Sequence, residues 1–120
     1  MTGLELLEKY DKTAIVIKQF YLNAMLESLK DEELPENFKE YARQTTIDND
    51  KIGKLIDVQP RGLFDVFDAN KIYIGITPNI LIGGIEFKYT IDDISGERPT
   101  RRETERIAVE KAFEILNNKL

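Results

Sequence analysis

Between Leu63 and Ile91 the hydrophobic pattern changes period, and that change limits the possible folds more than any other feature of the chain. Before it, from Leu4 to Leu29, apolar residues recur at helical spacing. Leu6, Tyr10, Ile17, Phe20 and Ala24 form one row, with Leu7, Ala14, Tyr21 and Met25 beside it. Within it, LFDVF, KIYIGI and NILIGGIEFKYTI are rich in β-branched and aromatic residues and are separated by the turn formers DAN and TPN. After it, from Thr100 onward, Val109, Phe113, Leu116 and Leu120 restore a helical stripe, with Ala108, Ala112 and Ile115 alongside. Helices, strands and helix in separate blocks define an α+β chain. The expected architecture is an N-terminal helical block over residues 1–47, a small antiparallel meander and a C-terminal helix packed on the sheet.

Local signals divide these blocks further. Thr13 to Ile17 alone favours extended geometry, but the helical period continues on both sides, so one long helix is expected from Leu4 to Leu29. The acidic stretch KDEELPENF ends it, and Pro35 suits the first turn of a second helix through Phe38, Tyr41 and Ala42. Asp48 or Thr46 starts a third, carrying Ile52, Leu55 and Ile56, and Pro60 and Gly62 end helical structure. In the last apolar run, alternation points Ile85, Phe87, Tyr89 and Ile91 inward and Glu86, Lys88 and Thr90 to solvent. Gly83 and Gly84 either bulge this strand or form a two-residue turn that divides it, so three and four strands both fit.

Composition narrows function by exclusion. The chain of 120 residues fits one domain, and 42% hydrophobic with 32% charged residues is ordinary for a globular protein. It has no cysteine and no histidine, which removes thiolate chemistry, zinc–thiolate sites and the usual general base near neutral pH. No cofactor or resident metal is expected. No apolar run is long enough for a membrane span, and MTGLELLEKY lacks the pattern of a signal peptide, which together imply a cytoplasmic location. A formal net charge of −5 repels polyanions as a whole, so any contact with nucleic acid must be local.

The start of the last helix offers such a locus. Thr100 and Glu103 have the spacing of a capping box, in which the threonine oxygen accepts from the Glu103 N–H and the carboxylate reaches back to the Thr100 N–H. Arg101, Arg102 and Arg106 occupy the opening turns, with Arg98 just before them. Basic groups here oppose the helix dipole, a cost that an anion bound among the guanidinium groups and free N–H groups would remove. The same side chains also have a structural use: their stems cover the core edge, and Arg101 with Glu105 and Arg106 with Glu110 are spaced as ion pairs.

TRRETERIAVEKAFEIL resembles the last helix of the double-stranded RNA-binding domain, with Thr100, Arg101 and Arg102 on its hydroxyl-basic-basic positions. Ala108, Ala112, Phe113 and Leu116 fall on its packed ones. The resemblance implies paired basic residues holding phosphates across a groove, and an order of helix, three strands and helix over residues 48–120. The ligand it implies is a phosphate-bearing one, structured RNA or a nucleotide, held by Arg98, Thr100, Arg101, Arg102 and Arg106 without catalysis.

Two other constellations compete. Glu86-Phe87-Lys88, with Asp65 or Asp68 on an earlier strand, resembles the Asp and Glu-x-Lys core of metal-dependent PD-(D/E)xK nucleases. The acidic group Asp31, Glu32, Glu33, Glu36 and Glu40 would serve a protein–protein interaction or inhibitor role, a character frequent among small accessory proteins of phages. The broad apolar face of the first helix suits a homodimer. DNDKIGKLIDVQ begins like a calcium loop, but Ile52 and Gln59 stand where oxygen ligands are required, so Asp48 is read as a helix start.

Overall fold

The computed structural model describes residues 1–28, 35–37 and 48–120. Among them run α1 (Gly3–Lys9), α2 (Asp11–Ser28), α3 (Asn49–Val58), a 3₁₀ turn (Pro60–Leu63), α4 (Phe64–Ala69), β1 (Gly75–Leu81), β2 (Gly84–Ile91), β3 (Ile94–Arg98) and α5 (Arg101–Lys119). The chain is α+β, with N-terminal helices, an antiparallel meander in the order β1-β2-β3, and α5 packed on the sheet. Phe38, Tyr41 and Ala42, and Asp31, Glu32, Glu33 and Glu40 of the acidic stretch, lie outside the described residues.

The long first helix of the sequence reading is two helices. Thr2 and Glu5 form a complete capping box at the start of α1, which ends at Tyr10 (φ −112°, ψ 70°). α2 restarts at once because its orphan N–H groups find acceptors. Asp11 takes the Lys12 N–H at 2.9 Å, and Asn117, from the far end of the chain, takes those of Lys12 and Thr13 at 3.1 and 3.3 Å. α1 crosses α3 at Gly3 and Gly53, where a Cβ on Gly53 would lie 2.9 Å from the Leu4 nitrogen. Asp48 caps α3 by accepting from Lys51 at 2.9 Å. Ile52 and Ile56 are buried beneath that helix, whereas Leu55, expected with them, is exposed.

LFDVF is helical, not a strand. Pro60 opens the 3₁₀ turn rather than ending helical structure, and the buried set Leu63, Val66 and Phe67 follows helical i, i+3, i+4 spacing. DAN is the helix's C-terminal cap: the Ile72 N–H reaches the Phe67 oxygen at 2.9 Å and the Lys71 N–H the Asp68 oxygen at 3.0 Å, with Lys71 at φ 63°. This is a Schellman motif, with lysine at the left-handed position usually held by glycine.

TPN lies within β1 instead of turning the chain, and the turn is Ile82-Gly83, flanked by the pair Leu81↔Gly84. Three strands result among the described residues, because the last apolar run divides there and ISGER pairs as β3 after a turn at Asp92 and Asp93. On β2, Tyr89 and Ile91 are buried and Phe87 half-buried, while Ile85, expected inward, is exposed. α5 explains the difference: the Thr104 hydroxyl in its first turns reaches the Phe87 carbonyl at 3.2 Å, and the hairpin runs on beyond the helix. Gly96 leaves room for the Tyr89 ring, since a Cβ there would meet ring carbon at 2.6 Å.

The core lies between α5, the sheet and the remaining helices. Phe113 stands 5.7 Å from Phe67 edge-on and 6.3 Å from Tyr10. Val109 and Leu116 are buried beside it, whereas Leu120, at the end of the expected stripe, is exposed. No helix among the described residues is long and apolar enough to cross a membrane.

Candidate functional site

Thr100 caps α5, accepting from the Glu103 N–H at 3.2 Å; among the described residues the reciprocal arm of the expected box does not form. The arginines that follow fan out to different partners. Arg101 lies over the Phe87 ring at 5.8 Å and faces Glu105 at 3.9 Å. Arg102 donates to the Asp57 carbonyl at 3.0 Å, covering a free oxygen in the last turn of α3. Arg106 is mostly buried. It donates to the Met1 carbonyl, meets the Asp57 carboxylate at 3.5 Å and approaches Glu110 at 3.9 Å. Asp57 in turn accepts the Gly3 N–H at 2.8 Å, so Arg106 ties α1, α3 and α5 together. Arg98 folds back on the Glu97 carbonyl at 2.7 Å, at the end of β3.

Of the residues expected to act together, Thr100, Arg102 and Arg106 share one depression and Arg101 and Arg102 the adjoining one. Two shallow depressions flank Arg102. Asp57, Pro60, Thr100, Glu103 and Arg106 complete the lining of one, of about 320 Å³, in which two arginines meet two carboxylates. The other, of about 340 Å³, combines Val58, Pro60, Arg61, Arg101, Arg102 and Glu105, three arginines against one carboxylate. Arg98 is in neither lining. Arg61, outside the residues expected from sequence, belongs to the positive depression and comes from the 3₁₀ turn rather than from α5. Nothing in PRGL marks it, because its distance of 40 residues from Arg101 in sequence is closed only by tertiary packing.

Electrostatics ranks the two. In the first depression, charges of both signs cancel, and Arg106 is held through Nη2 and Nε by Met1, Asp57 and Glu110, with its buried Nη1 left without a partner among the described residues. In the second, Arg61 is exposed and Arg101, stacked over Phe87, meets a carboxylate only at the long distance of 3.9 Å, so guanidinium donors remain for an anion. Val58 and Pro60 add apolar surface on one side.

Asp65 and Asp68 sit on α4, a helix, and not on a strand beside Glu86 and Lys88 as the nuclease pattern requires. Glu86 is met by the Asn79 amide at 3.4 Å. Among the described residues no group of three or more acidic side chains converges as a metal site. The order helix, three antiparallel strands and helix runs from α3 to α5, with the 3₁₀ turn and α4 inserted before the strands. No family model matches the chain, and no curated protein or solved structure matches it.

Proposed function

We propose that the chain is a non-enzymatic binding protein that takes a phosphate-bearing ligand, structured RNA or a nucleotide, in the depression formed by Arg61, Arg101 and Arg102. One observation carries this reading: three guanidinium groups from two separate elements surround one depression with a single carboxylate, in a chain of net charge −5. The three guanidinium groups repel one another at close range, a cost that a bound anion would offset. Thr100 and Arg106 act as supports, one capping α5 and the other pinning it to α3, and Arg98 drops out of the ligand set.

The double-stranded RNA-binding domain reads its duplex at more than one patch, including a loop between its first two strands. Here the corresponding turn is Ile82-Gly83, without a charged or hydrogen-bonding side chain. A single arginine patch with Val58 and Pro60 at its edge suits a nucleotide, or the phosphates of one strand, better than a duplex spanning two grooves.

Titrating the protein with fluorescent duplex RNA, a single strand and a nucleotide panel at two salt concentrations tests this. The expected result is salt-sensitive binding that falls at least tenfold in Arg61→Gln with Arg101→Gln. Absent binding, or equal binding by wild type and variant, removes the site.

A further inference from the structure

The least covered apolar surface among the described residues is the tip of the β1–β2 hairpin. Ile80 is 81% exposed, Ile85 58% and Leu81 48%, and Ile82 is fully exposed in the turn. By cross-strand pairing Ile80 and Ile85 are partners, and alternation sets them on the face of Phe87 and Tyr89. They prolong the core face beyond the start of α5.

We propose that this tip is a self-complementary docking surface whose occupant is a second copy of the chain. The first argument is shape. Beside the protruding Ile82 lies a depression of about 330 Å³ lined by Leu81, Gly83, Gly84, Ile85, Glu86 and Pro99. It is open because the glycines carry no side chains; a Cβ at either would meet nothing within 4 Å. A knob and a hole on one surface are what a two-fold contact uses, each Ile82 entering the depression of the other copy. A different partner that only received the knob would leave this chain's own hole unfilled.

The second argument is charge. Residues 79–85 read NILIGGI and carry none, whereas the chain as a whole has a net charge of −5. Glu86 is the one charged side chain in the lining, the Asn79 amide meets it at 3.4 Å, and the Ile82 that enters beside it is neutral, so the knob brings no second charge into the depression. The third is area: Ile80 and Leu81 lie on opposite faces of β1, so one contact covers at most three of the four side chains, on the order of 400 Å² per copy or about 800 Å² for the pair, in the range of a weak association. Sheet extension along β1 is not the mode, since Pro78 removes a donor from that edge strand.

Sedimentation equilibrium of the full chain from micromolar to millimolar concentration tests the contact. The expected result is a reversible dimer whose dissociation constant rises at least tenfold in Ile82→Glu, which removes the knob. Gly83→Leu, which fills the hole without a clash, should weaken it similarly. Both positions are exposed, so circular dichroism should match wild type in each. A wild type that stays monomeric throughout, or a dimer unaffected by both variants, overturns the proposal. A dimer lost instead in Ile15→Glu would place the contact on the N-terminal helices and overturn it equally. Nucleotide and RNA binding at Arg61 and Arg101 is read separately, so either site can fail alone.

Discussion

Asn117 and Thr13, 104 residues apart in sequence, join α2 to α5 twice: the Asn117 amide oxygen accepts the Thr13 N–H at 3.3 Å and so caps α2, and the buried Thr13 hydroxyl donates to the Phe113 carbonyl within α5 at 2.9 Å. The restart of the chain at Asp11 thus depends on α5 being in place. Asn117→Ala should cost about 1 kcal/mol, as for loss of an N-cap acceptor. Thr13→Val should cost about 1 to 2 kcal/mol, since it leaves a buried carbonyl with one partner fewer. Urea unfolding of the two single variants and the double variant checks this; strictly additive losses would show that the contacts are independent.

Gly53 is required by the crossing of α1 and α3. Alanine is normally the better helix residue, by about 1 kcal/mol. Here its Cβ would press on the Leu4 backbone at 2.9 Å, and backbone cannot rotate away. Gly53→Ala should therefore lower stability by about 1 to 3 kcal/mol, as overpacking does. A rise in denaturation midpoint would contradict the crossing.

Lys71 offers the opposite case. Its left-handed conformation (φ 63°) at the end of α4 costs about 1 kcal/mol for a residue with a Cβ. Lys71→Gly should stabilise the protein by about 0.5 kcal/mol once the added freedom of the unfolded chain is subtracted. Thermal melting of the two proteins side by side measures it.

The arginines should divide by role. Arg106→Gln removes the cation facing Asp57 and Glu110 in a mostly buried position, and should cost about 1 to 3 kcal/mol whether or not a ligand exists. Arg61→Gln, at an exposed position, should leave stability within about 0.5 kcal/mol and act only on ligand affinity. Chemical denaturation paired with the binding titration separates them, and a strongly destabilised Arg61→Gln would contradict the assignment.

Tyr21, half-buried on α2, has its phenol pushed above the ordinary value of 10.0 by desolvation. The unfolded chain then loses this proton at lower pH than the folded one. The contribution to stability is complete below pH 10.0 and is lost as pH rises through the higher folded-state value. Stability measured from neutral to strongly alkaline pH should fall less steeply in Tyr21→Phe than in wild type. Identical slopes would remove Tyr21 as a contributor.

What the sequence determined by itself was whatever depends on near neighbours. Hydrophobic period placed α5 and its buried stripe as far as Leu116, side-chain oxygen chemistry placed the cap Thr100 and narrowed that of α3 to Asp48 or Thr46, and β-rich composition placed β2. Where two local readings were nearly equal in energy, tertiary contacts decided. LFDVF satisfies both a short strand and a short helix, and burial of Leu63, Val66 and Phe67 against the helices selected the helix. The break at Tyr10 left no mark in the apolar period because its compensation comes from Asn117, more than 100 residues away. The candidate site followed the same division. Arg101 and Arg102 were legible as charges at a helix start, but only packing could show that Arg106 is held by Asp57 and that Arg61 joins Arg101. A side chain's type is written in the sequence, whereas the partner that uses or frees its charge is set by which distant surfaces the core brings together.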